Sequence, residues 1–89
     1  MKNRKEPTIG IQYIQELINN DREIGFDFNE NRYSITYYND NREKYISFYK
    51  FYNEPIDVKN AGELFKLKIG NQTLEQIFKS LKDSSFDIY

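Results

Sequence analysis

The sequence predicts an α+β domain of two layers, an antiparallel three-stranded sheet with helices on one face, in the order α-β-β-β-α-α. Three observations predict it. The stretch Arg32–Tyr52 holds eight Tyr or Phe residues in two β-rich runs around a polar turn, Asn39–Glu43. Apolar residues recur at helical spacing before it and after it. Eighty-nine residues suffice for one domain, 1–89, with a modest core and stability on the order of 5–10 kcal/mol.

Residues 1–7 read as a loose start, with Pro7 tolerated at or before a helix. From Thr8 the pattern turns helical. Ile11, Ile14, Leu17 and Ile18 fall on one arc, opposite Gln12, Gln15 and Glu16. Asn19-Asn20-Asp21 ends that helix with residues that favour turns.

Ile24, Phe26 and Phe28 alternate with Gly25, Asp27 and Asn29, which marks a half-buried strand. Asn29-Glu30-Asn31 is a turn, because Asn tolerates the left-handed backbone. The second strand, Arg32–Tyr38, turns Tyr33, Ile35 and Tyr37 to the core and Ser34, Thr36 and Tyr38 away from it. In the third, Lys44–Tyr52, Ile46 and Phe48 point inward, since neither carries a hydroxyl that burial would leave wanting a partner. Tyr45, Ser47, Tyr49 and Phe51 then point outward, and a slip of one residue would reverse the assignment.

Asn53-Glu54-Pro55 breaks the third strand. Asn60-Ala61-Gly62-Glu63 has the form of a capping box and opens a short helix through Leu67, with Gly70 as its C-terminal stop. Thr73-Leu74-Glu75-Gln76 repeats the box, and Leu74, Ile77, Phe78 and Leu81 follow at i, i+3, i+4 and i+7. The tail, Ser84–Tyr89, alternates apolar residues and either docks as an extended segment or frays.

Composition narrows function by exclusion. The chain has no Cys and no His, so the common catalytic triads, the activated thiol and thiolate metal sites are missing. The carboxylates Asp21, Glu23, Asp27 and Glu30 lie on an exposed stretch, where solvation rather than catalysis is the ordinary role. Asn39–Glu43 offers oxygen ligands but lacks the glycine of a calcium loop and a terminal Glu at that loop's spacing. The four glycines are isolated, so no phosphate loop is present. These observations predict a non-enzymatic protein without cofactor or metal. No N-terminal apolar region and no membrane-length apolar run occur, so a cytoplasmic setting with no membrane partner is expected.

Thirteen basic and fourteen acidic residues leave a net charge of -1, without the basic excess usual in nucleic-acid binders. The charge is uneven: Lys2, Arg4 and Lys5 make a basic start, and Lys66, Lys68, Lys79 and Lys82 tilt the end basic. Asn, Ile, Lys, Tyr and Phe abound, while Trp is absent and Ala occurs once. AT-rich codons encode the favoured residues, which points to a low-GC bacterium or its phage.

The outward sheet face carries the functional expectation. Tyr38, Tyr45, Tyr49 and Phe51 would stand together there, with Arg32 and the acidic Asp27 and Glu30 at its margin. Tyr combines contact area with a polar tip and little rotamer entropy, which suits interfaces. Three readings follow: the face is covered by the chain's own tail or a helix, it meets a protein partner or a second copy, or its rings stack nucleic-acid bases.

The order helix, three strands, helix resembles the double-stranded RNA-binding domain. That family opens its second helix on a lysine-rich cluster. Here the corresponding start is Lys59-Asn60-Ala61-Gly62-Glu63, and Asn29-Glu30-Asn31 lacks the family's histidine, so no RNA-contacting residue is carried over. The run Gly62–Phe78, with its Leu-rich turn, Lys68-Ile69-Gly70 and Thr73-Leu74-Glu75-Gln76-Ile77, is similar to small uncharacterised proteins of low-GC bacteria and their prophages. Some anti-CRISPR proteins of such phages share this size and element order. The resemblance implies a mobile-element binding protein, with inhibition of a host defence nuclease as one form.

Overall fold

In the computed structural model, which describes residues 10–50 and 53–89, the aromatic run forms the middle of the sheet. Strands β1 (Ile24–Phe28), β2 (Asn31–Asp40) and β3 (Glu43–Lys50) form an antiparallel meander. Both connections are two-residue turns. Asn29 and Glu30 have φ of 52° and 65°, and Asn41 and Arg42 have 52° and 68°. Positive φ at both central residues gives a twist that matches the flanking strands. The second turn is therefore tighter than the five-residue segment expected, and the strands run on to Asp40 and Glu43.

Among the described residues the sheet has five strands rather than three: β4 (Ile56–Val58) and β7 (Phe86–Ile88) extend the meander to the order β4-β3-β2-β1-β7. Strand β4 pairs with the middle of β3, and β7 pairs with β1. Three residues are too few to show a period, and both segments become strands only because a sheet edge is there to pair with. The tail therefore docks: Phe86 enters the core, and the Tyr89 N–H donates to the Glu23 carbonyl.

The helical order also differs from α-β-β-β-α-α. Helix α1 (Ile11–Asn19) precedes β1, while α2 (Ala61–Lys66) and α3 (Leu74–Ser80) are separated by a small hairpin, β5 (Lys68–Ile69) and β6 (Gln72–Thr73). Gly70, expected to stop a helix, instead occupies the β5–β6 turn with φ of 63°. Its conformational freedom serves a turn in either setting. The added strands and this order also depart from the double-stranded RNA-binding topology. Thr8 and residues 1–7 lie outside the described residues.

Both caps form. Asn60 accepts from the Glu63 N–H at 2.8 Å, while the Glu63 carboxylate reaches back to the Lys59 N–H at 2.9 Å. Thr73 and Gln76 close the reciprocal box, at 3.1 and 2.9 Å. These bonds satisfy donors that helix starts leave open.

Helices and sheet share one core. Ile14, Leu17 and Ile18 of α1, Leu64 and Phe65 of α2, and Leu74, Ile77 and Phe78 of α3 pack with the inward residues of the sheet. Phe26 is the hub: its ring lies 5.3 Å from Tyr33, 5.1 Å from Phe78 and 5.9 Å from Phe86. Register agrees with the inward placement of Ile46 and Phe48, which pair with Tyr37 and Ile35. Among the described tyrosines, Tyr33 is buried and Tyr37 packs partly buried against the core, so the core draws its rings mainly from phenylalanine.

Candidate functional site: the outer face of the sheet

Strand alternation sends every second residue of the sheet away from the helices. This outer face runs from an aromatic end, at the β2–β3 turn, to an ionic end, at the β1–β7 edge. Among the described residues, no helix packs on it; the buried residues of α1, α2 and α3 meet the inward side.

Tyr38 and Tyr45 face each other across β2 and β3 at the aromatic end. Their rings stack at 5.3 Å and 19°. Tyr38 is 41% exposed, more than an interior ring would be. Its hydroxyl donates to Asp57 Oδ2 of β4 at 2.7 Å. That bond, with slight desolvation and the Asp57 charge, pushes its pKa up to about 12. Ionising the phenol would remove the donor and set two anions side by side. Lys59 lies over the Tyr45 ring at 5.7 Å and holds Glu43 Oε1 at 2.8 Å. The Glu43 bond raises the lysine's pKa.

A half-buried Tyr49 lies on β3 opposite Ser34, four residues from Tyr45, about 13 Å along the strand. Between them Ser47, opposite Thr36, is 93% out of contact with water at 7% exposure. The middle of the face is thus a hydroxyl-lined strip between rings.

Arg32 organises the ionic end. It pairs with Asp27 at 3.2 Å and with Asp87 of β7. Partial burial works against its charge, and Asp87 and Asp27 overcome that cost and raise its pKa. Gly25 makes room for this clasp: a Cβ there would stand 3.0 Å from the guanidinium carbon. The salt bridge also fastens the C-terminal strand to the sheet.

The expected site residues therefore separate into groups. Tyr38 and Tyr45 are joined, Tyr49 stands apart on the same face, and Arg32 with Asp27 is at the other end. Glu30 lies in the β1–β2 turn. Phe51 falls outside the described residues. The acidic stretch does not form one surface, because Asp21 pairs with Lys44 on the helix side. Sequence reasoning missed Asp57 and Asp87, which come from strands too short to recognise, and Lys59, which directly follows β4. The alternation of Phe86-Asp87-Ile88 was the one available signal.

Tyr37, on the inward side, donates to the Arg22 carbonyl at 2.7 Å. Burial, then the Asp21 and Glu23 charges, raise its pKa. Among the described residues, no ligand-sized cavity and no group of three metal-binding side chains occurs, and no helix is long and apolar enough to cross a membrane. In comparisons with known proteins, no family model, no curated protein and no solved structure matches the chain.

Proposed function

We propose that this chain is a small non-enzymatic binding protein that takes a protein partner on the outer face of its sheet. The observation that carries the reading is the water-facing Tyr38–Tyr45 stack on a face the helices leave open. A ring pair already ordered by stacking and by the Asp57 bond loses little freedom on binding. Such rings are the residue type that anchors interfaces.

The nucleic-acid alternative draws less support from the geometry. Base stacking needs cations for the phosphates. On this face Arg32 and Lys59 are held by carboxylates. A phage or prophage setting, with inhibition of a host nuclease as one form of protein binding, remains part of the proposal.

The test is affinity capture from an extract of the source organism, with and without nuclease, using the native chain and a Tyr45→Ala, Tyr49→Ala variant. Circular dichroism establishes that the variant is folded. The expected result is a protein retained by the native chain after nuclease treatment and lost with the variant. Retention by the folded variant, or release of everything by nuclease, would refute the reading.

A further inference from the structure

We infer that the partner presents Lys or Arg side chains to this face, so that the docking surfaces are acidic on this chain and cationic on the other protein. The inference rests on the outer face being the docking site and specifies its occupant.

Register and alternation put Asp27, Asp40, Glu43, Asp57 and Asp87 on the outer face. Among the described residues of the strands on this face, with Lys59 just after β4, two cations, Arg32 and Lys59, stand against these five carboxylates, for a net charge of -3. The whole chain carries -1, so everything else carries +2. A near-neutral composition thus conceals an acidic face, and a phosphate chain approaching it would be repelled.

The chain's own Lys59 displays the chemistry this face accepts. Its ammonium is held jointly by a ring, Tyr45, and by a carboxylate, Glu43. Cations favour the negative face of an aromatic ring, and a nearby carboxylate adds to that attraction. The same ingredients recur at Tyr38: its hydroxyl is bonded to Asp57, and Asp40 lies two residues along the same face. No cation of the chain pairs with Asp40 or Asp57 among the described ion pairs. An incoming guanidinium can therefore contact the exposed Tyr38 ring while bonding either acid, a planar match that Arg makes better than Lys.

The experiment is an amide NMR titration of the full chain with a short polyarginine peptide, a polyglutamate peptide and a double-stranded DNA oligonucleotide. Sedimentation of the chain alone reports self-association. Polyarginine is expected to shift the amides of residues 36–40 and 43–47, and an Asp40→Asn, Asp57→Asn variant to weaken it about tenfold, because exposed charge pairs contribute modestly each. Shifts scattered over every exposed carboxylate, no shifts, or binding of DNA or polyglutamate at this face would overturn the inference. So would self-association that buries these residues. The captured partner separates the two readings. If Tyr45→Ala with Tyr49→Ala abolishes capture and the Asp variant does not, the docking face stands and its cationic occupant falls. If neither variant affects capture, both fall.

Discussion

Replacing Arg42 by glycine should stabilise the protein, although it removes a charged side chain and adds a flexible residue. Arg42 has φ of 68° at the second position of the β2–β3 turn. A Cβ in that left-handed region costs about 1–2 kcal/mol. Glycine removes the cost but gives the unfolded chain more freedom, a loss of about 0.4–1 kcal/mol. The strain is the larger quantity, so Arg42→Gly should gain about 0.5–1 kcal/mol. Arg42→Ala is the control, because it removes the same charge and keeps the Cβ. The two variants should differ by roughly that amount, with glycine the more stable. Urea unfolding followed by circular dichroism reads it: with a slope of about 1 kcal/mol per molar, the midpoints separate by about 0.5–1 M. If the alanine variant equals or exceeds the glycine variant in stability, left-handed strain is not what this turn carries.

Phe26→Ala should cost about 3–5 kcal/mol, since the ring is fully buried among four aromatic neighbours. That is a large share of the stability of a domain this size, so calorimetry should find the variant unfolded or nearly so at 37 °C; a loss below ~2 kcal/mol would deny Phe26 its central place. Thr73→Ala removes half of the α3 capping box and should cost about 1 kcal/mol, measured by urea unfolding. Stability should also fall in alkali. Tyr38 and Tyr37 have raised pKa values in the folded state, so the fold keeps their protons more tightly than the unfolded chain does. Their contribution is complete below the unfolded pKa of ~10 and is lost as pH rises through the folded values. Urea midpoints at pH ~8 and pH ~11 should show that fall, and an unchanged midpoint would contradict the Asp57 bond and the burial of Tyr37.

Taken alone, the sequence determined whatever depends on neighbours along the chain. The α1 stripe, the capping signals of α2 and α3, the meander β1–β3 and the inward side of each of its strands are local patterns, where burial selects Ile and Phe and turns select Asn. The outward direction of Tyr38, Tyr45 and Tyr49 follows from the same alternation. Tertiary structure decided what no local pattern carries. Ile56–Val58 and Phe86–Ile88 are too short to hold a period, and they are strands because β3 and β1 offered open edges. Gly70 serves a hairpin rather than a helix end because Lys68–Ile69 found Gln72–Thr73 to pair with. Those late strands bring Asp57 to Tyr38 and Asp87 to Arg32, residues 19 and 55 positions apart in the chain. The charge of the outer face is thus a property of which strands became neighbours, and a sum over the whole composition averages it away.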